Sequence, residues 1–158
     1  MSYDCGFIRE DNLFRYRAAA IIVEGDYVLL AGNERVDYYY SVGGAVNLNE
    51  TAKEAVEREV YEETGVKYTA ERLAVIHENF FHDDGVHQTI NNFHELSFYY
   101  IMKPRGTREI NPTGYAVGVP ETMHWIKISD LPALNAYPKF LYDYLKNPQK
   151  EIVHIISK

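Results

Sequence analysis

Between the Gly43-Gly44 pair and Gly65 the chain carries TAKEAVEREVYEETG, a segment whose spacing leaves few folding choices. Ala52, Val56 and Val60 recur at i, i+4 and i+8, which makes one stripe of an α-helix. Thr51, or Asn49 just before it, can cap the start, and Gly65 suits the left-handed position beyond the end. The pattern predicts a helix over 51–64. On the same wheel Glu59, Glu62 and Glu63 stand at i, i+3 and i+4 and so share a ridge beside the apolar stripe. Small Ala52 and Ala55 let neighbouring backbone come close, so the ridge is expected to face a groove at the edge of the core.

A ridge of this kind repels itself, and Glu62 and Glu63 fall in the last turn, where the helix dipole is already negative. Arg58, four residues after Glu54 and four before Glu62, supplies one positive charge. One guanidinium does not neutralise the carboxylates around it. A divalent cation does, and oxygen-only ligands select Mg²⁺ or Mn²⁺, which complete their shell with water and substrate phosphate. The plain alternative is a solvated acidic helix face.

The rest of the chain sets limits. At 158 residues, with 46% hydrophobic and 25% charged side chains, it has the size and make-up of one globular domain spanning 1–158. A net charge of -7 argues against a protein that neutralises a long nucleic-acid backbone, while leaving small phosphate compounds open. Cys5 is the single cysteine, so no intrachain disulfide forms. The N-terminus lacks a signal-like apolar run and no stretch approaches the roughly 20 apolar residues of a membrane span. The expectation is a cytoplasmic protein without a membrane partner.

Strand patterns surround the helix. Residues 18–23 and 27–30 flank the turn signal Glu24-Gly25-Asp26 and read as a hairpin. Asp37 to Val42 (DYYYSV) reads as a third strand, ended by Gly43-Gly44, where the chain can adopt positive φ. Further strands are expected over 73–81, 93–102 and 125–128, with a turn or longer loop at His82-Asp83-Asp84-Gly85. A turn opens at Ser129-Asp130-Leu131-Pro132, and a short helix is expected over 140–145. The sum is an α/β (α+β) sandwich, a mixed β-sheet with helices on both faces.

Gly44, Glu50 and the run Arg58-Glu59-Val60-Tyr61-Glu62-Glu63-Thr64-Gly65-Val66, at these spacings, resemble a complete Nudix box, the signature of the Nudix (MutT-like) hydrolases. The FHELSFYYIM and TMHWIKISDLPALNAYPKFL segments are similar to what many members carry. The resemblance implies the Nudix sandwich and hydrolysis of a diphosphate bond in a nucleotide or nucleoside-diphosphate derivative, with Mg²⁺ or Mn²⁺ as cofactor. It implies Glu59 and Glu63 as metal ligands, Glu62 as a further ligand or the base, and the Gly43 carbonyl as a ligand. Arg58 would orient a ridge carboxylate, and Glu50 would sit near the metal or brace Arg58. The usual proline before the glycine pair is Val42 here, and Asn49, the non-glycine residue most tolerant of the left-handed region, precedes Glu50.

Some Nudix families place the base downstream of the box, which makes Glu95 a candidate, with His94 and Glu78 behind it. His77, His82 and His87 are weaker, since an all-oxygen site does not ask for imidazole. Tyr38, Tyr39, Tyr40, Phe80 and Phe81 can stack a nucleobase, although alternation sends Tyr38 and Tyr40 to one side and Tyr39 to the other. Arg35 is a candidate phosphate contact. Phe81 stands where the ADP-ribose subgroup carries proline, and the NADH-hydrolase motif is missing. The family also implies a two-fold homodimer. Two other readings stay open: a non-catalytic Nudix-fold nucleotide-binding or sensor module, and a Mg²⁺-dependent phosphohydrolase of another substrate class.

Overall fold

The computed structural model describes residues 2–83, 89–116 and 118–158. His87, and Asp84-Gly85 of the expected turn, lie outside them. In chain order the strands are β1 (Gly6–Arg9), β2 (Asn12–Ile21), β3 (Val23–Glu24), β4 (Tyr27–Gly32) and β5 (Gly43–Ala45). Helix α1 (Ala52–Thr64) follows, then β6 (Ala70–His82), β7 (Asn92–Met102), β8 (Tyr115–Ala116), β9 (Val119–Pro120) and β10 (Thr122–Lys127). A 3₁₀ turn (Ile128–Ala133), α2 (Leu141–Lys146) and β11 (Val153–Ser157) complete the chain.

Among the described residues the larger sheet has six strands in the order β1-β2-β7-β6-β11, with β5 also paired to β2. The sheet is mixed: β2 runs parallel to β7 and β11 parallel to β6, while β1 with β2, β2 with β5, and β6 with β7 are antiparallel. A second antiparallel sheet has the order β10-β4-β3. Alternation along β2 divides the core. Ala18 and Ala20 pack under Ala52, Ala55, Val56 and Val60 of α1, whereas Ala19 and Ile21 pack with Tyr99 and with Leu141 and Tyr144 of α2. Helices therefore cover both faces, as the sequence predicts.

Helix α1 begins where the pattern places it. Thr51 caps it by accepting from the Glu54 amide at 3.2 Å, and the Glu54 carboxylate accepts from the Thr51 amide at 2.9 Å, a reciprocal capping box. Gly65 ends it at φ 71°. The expected hairpin survives only at its tip, as Val23-Glu24 against Tyr27-Val28. Ile22 is the point where the chain leaves the large sheet for the small one, so 18–23 is not one strand.

DYYYSV is not a strand. Tyr40 bridges Ala31 and Tyr39 bridges Ala136 in isolation, and regular pairing with β2 starts only at Gly43. Each tyrosine amide serves a different partner segment, so the β propensity is spent on separate bridges rather than a ladder. The predicted division of side chains holds: Tyr38 and Tyr40 rings meet at 6.2 Å, and Tyr39 packs on His124 at 5.0 Å. The edge strands β1 and β11 were not expected; both are short.

Candidate active site

Two glycines bring β5 and α1 together. Gly43 has φ 144°, and a Cβ there would run into the Ala18 carbonyl of the neighbouring strand. A Cβ on Gly44 would lie within 2.6 Å of both Glu59 carboxylate oxygens. The glycine pair thus lets the sheet edge approach the helix at the height of its carboxylates. Asn49 takes the left-handed conformation at φ 66° and turns the chain toward Glu50.

Arg58 organises the lower part of the ridge. Its Nε and Nη2 donate to the two Glu50 oxygens at 2.8 and 2.9 Å, and Nη1 donates to Glu59 Oε1 at 2.6 Å and to Glu62 Oε2 at 3.2 Å. Nη2 also reaches the Ala45 carbonyl at 3.1 Å. These bonds hold the Glu50 carboxyl below its usual range, and the Glu50 contact in turn raises the proton affinity of Arg58. The ridge is not uniform across its three acids. Glu62 has 56% of its side chain exposed, against 16% for Glu59, and Glu63 is buried.

Glu63 is the anomaly. Its Oε1 accepts from the Gly43 amide at 3.2 Å, while Oε2 is buried with no hydrogen-bond partner among the described residues. Burial pushes its pKa well above the usual carboxylate value, and the charges of Glu121 and Glu59 push the same way. Glu59 is raised mainly by burial and further by Glu62, against the pull of Arg58. An unpartnered buried carboxylate oxygen beside other carboxylates is a poor structural feature and a good ligand for a hard cation. The residues present therefore fit a divalent ion, with Glu59, Glu63 and the Gly43 carbonyl as oxygen donors. Among the described residues no three carboxylate, imidazole or thiol side chains already converge as a finished cage.

Glu121, absent from the sequence reading, belongs to this cluster. A Cβ on Gly114 would lie 3.1 Å from both Glu121 Oε2 and the Glu63 Cα, so the two acids meet across that glycine. The Tyr40 hydroxyl donates to Glu121 Oε1 at 2.8 Å and accepts from Asn33 Nδ2 at 3.0 Å. The only local signal for Glu121 is an acid at the entrance to β10. Glu121 approaches the ridge beside Gly114, far from α1 in sequence.

Glu95 approaches from the sheet, and its charge, like those of Glu63 and Glu59, acts on Arg17. It is buried on β7, and Arg15 Nε and Nη2 both donate to its Oε1 from the adjacent position of β2. His94 stacks on Phe80 at 4.2 Å on the opposite side of β7, and Phe81 stacks on Phe93 at 4.7 Å. Glu78 accepts from His154 at 2.7 Å and His77 bonds Ser157 at 2.8 Å, so both serve the β6–β11 side of the sheet. His82 contacts Asn92 at 3.2 Å, and Arg35 is exposed. Of the five aromatic candidates, Tyr40 is tied to the acidic cluster, with Tyr38 against it and 5.3 Å from Tyr137.

A mixed sheet between two helices, with a carboxylate helix drawn onto a glycine turn, is an α/β fold that sets oxygen donors where a divalent ion and a phosphate can meet. The chain belongs to the NUDIX domain family, whose model matches residues 13–147. It is a hydrolase of pyrophosphate bonds, and enzymes of this family generally use divalent metal ions. Its fold is similar to that of a mutator MutT protein from Bacillus halodurans (20% identity, 89% of each chain, TM-score 0.60). It is also similar to a MutT protein from Methanosarcina mazei Go1 (17% identity, 84% of this chain and 91% of that one, TM-score 0.62). A third similar fold is an ADP-ribose pyrophosphatase from Streptococcus suis 89-1591 (16% identity, 89% of this chain and 98% of that one, TM-score 0.58). No curated protein matches the sequence. Among the described residues no helix is long and apolar enough to cross a membrane.

Proposed function

We propose that the protein is a Mg²⁺- or Mn²⁺-dependent pyrophosphohydrolase acting on a nucleotide or nucleoside-diphosphate derivative. The observation that carries this reading is the buried, unpartnered oxygen of Glu63 inside a complete Nudix box. Glu59, Glu63 and the Gly43 carbonyl would hold the ion, and Glu62 would either support a second one or serve as the base. When bound, such an ion would supply Lewis-acid polarisation and charge neutralisation at a phosphoryl group.

The chain's own groups do the rest. Arg58 keeps Glu59 and Glu62 in place, and Glu50 braces Arg58 from below. Water attacks a phosphorus and gives its proton to a carboxylate, while the bond from that phosphorus to the bridging oxygen breaks and yields two phosphate-ended products. Glu62 is the preferred proton acceptor because its carboxylate is the most exposed of the ridge. Glu95 is the second candidate, and it must release Arg15 before it can take a proton. Tyr38 and Tyr40 supply aromatic surface for a base. The Streptococcus suis neighbour is named for ADP-ribose; Phe81, in place of that subgroup's proline, favours a different derivative.

The test is release of phosphate or pyrophosphate from a panel of nucleotides, nucleotide sugars and dinucleoside polyphosphates, with Mg²⁺ and with chelator. Metal-dependent release from at least one of them is expected. Release that is equal in chelator sinks the metal reading, and a panel that is bound but never cleaved favours a sensor module.

A further inference from the structure

Arg17 is a charge where alternation along β2 calls for an apolar side chain. Its neighbours on the same side, Ala19 and Ile21, are core residues, and Arg17 itself is only 9% exposed. Burying a guanidinium is costly unless its donors and its charge are both answered. Here they are answered by different groups. Nη2 donates to the Ser41 carbonyl at 2.9 Å and to the Gly43 carbonyl at 3.4 Å, and Nη1 donates to Ser41 Oγ at 3.3 Å. Burial works against its charge, but Tyr99, Glu95, Glu63 and Glu59 act the other way and leave its proton affinity raised.

Arg58 and Arg17 thus serve the acidic cluster in opposite manners. Arg58 donates straight into Glu59 and Glu62 and occupies their oxygens. Arg17 spends its hydrogen bonds on the 41–43 backbone, on Ser41 and on Tyr99, and its charge reaches the carboxylates without covering them. Gly43 is the link. Its carbonyl meets Arg17 and its amide meets Glu63, so one peptide segment, bent at φ 144°, connects the buried arginine to the anomalous acid.

We propose that Arg17 is a positioning residue: by holding the Ser41 and Gly43 carbonyls it fixes the turn whose amide seats Glu63, and so sets how tightly the acidic cluster binds a divalent ion. The inference rests on the hydrolase reading for the ion but not for the link between Arg17 and Gly43. An arginine is suited to this because one nitrogen, Nη2, meets both carbonyls while Nη1, held in the same plane, meets Ser41 Oγ, a two-nitrogen contact that a single ammonium does not reproduce.

Two measurements on the full chain test it. Mn²⁺ titration without substrate, followed by the EPR signal of free ion, should show Arg17→Met weakening Mn²⁺ binding by about 10- to 100-fold, the range for groups that orient metal ligands. Arg17→Lys should fall between Arg17→Met and wild type. Binding in Arg17→Met as tight as wild type or tighter overturns the proposal, as does a lysine that restores it fully, since charge alone would then suffice. Hydrogen exchange at the Gly43 amide in metal-free protein reads the same link without an ion. Exchange should quicken by about tenfold or more in Arg17→Met; an unchanged rate overturns the inference. Should the wild type bind no Mn²⁺, the proposed metal dependence fails while the exchange result still decides this inference. Should Arg17→Met not fold, Arg17→Lys carries both readouts.

Discussion

Glu24 and Glu63 are two glutamates of nearly equal burial, 6% and 8% exposed, and they are treated in opposite ways. Glu24 is fully answered. It accepts from the Tyr68 hydroxyl at 3.1 Å, the Arg105 amide at 2.6 Å and the Gly106 amide at 2.9 Å. Glu63 has the Gly43 amide, a second oxygen with no hydrogen-bond partner among the described residues and two carboxylates for neighbours. A buried charge with its hydrogen bonds made is a fastening, here for the chain that leaves β7. A buried charge left short is a place kept for something else. Burial alone does not distinguish the two; the partners do.

The largest expected effect follows from Glu63→Gln. If this oxygen holds the ion, losing its charge removes several kcal/mol of transition-state stabilisation, and turnover should drop by about 10²- to 10³-fold. The metal-free fold should gain. The Glu63 carboxyl is raised in the folded state, so folding favours its protonated form. Below the unfolded value near 4.5 both states are protonated and there is no penalty. As pH rises from there toward the raised value, the unfolded chain sheds its proton first and the metal-free fold loses stability. Glu59 adds the same sign, whereas Glu50, lowered by Arg58, acts oppositely and only as pH falls below its unfolded value. Melting curves without metal should therefore show wild type losing ground to Glu63→Gln through the window that opens above about 4.5 as pH rises, and saturating Mg²⁺ should cancel the difference. A wild type that melts alike across that window, or a variant with full turnover, breaks the contrast.

Glu24→Ala should do the reverse. It leaves the buried Tyr68 hydroxyl and two part-buried amides without their acceptor, at a cost of about 2–3 kcal/mol in urea or thermal unfolding. Turnover per folded molecule should stay within about a factor of two, because effects at separate sites add with little coupling. A Glu24 variant that keeps its stability and loses its activity would put both glutamates in one class.

What could be read from the sequence follows the range of the interactions. Helix α1, its cap and the order Arg58-Glu59-Glu62-Glu63 are written within fifteen residues, and the structure places the helix where the spacing does. The same spacing did not separate Glu63 from Glu62. One residue on the wheel decides which acid turns under Gly43 and which turns to water, and the neighbouring strand sets that rotation. Glu121 was invisible because nothing near it in sequence refers to α1. Arg17 was visible in part: a charge at an inward position of FRYRAAAII breaks the period of two, although its partners at 41–43 come from another segment. DYYYSV misled because high β propensity states a preference for pairing and not with whom.

The smallest effect separates the helix from its ridge. Thr51→Ala removes the side chain that caps α1 and leaves Glu59, Glu63 and Gly43 as they are. The expected loss is about 1 kcal/mol, the usual worth of such a cap. What matters is how that loss responds to metal. A cap stabilises the helix whether or not the acids are neutralised, so the loss should be the same in Mg²⁺ and in chelator, and flat from about pH 6 to 8, where Thr51 has nothing to titrate. The Glu63→Gln difference should change with both. Paired melts of the two variants under the two conditions sort helix stability from site charge. If the Thr51→Ala loss also vanished with metal, the ridge would be gripping the whole helix, and the strain now assigned to Glu63 would belong to α1 as a unit.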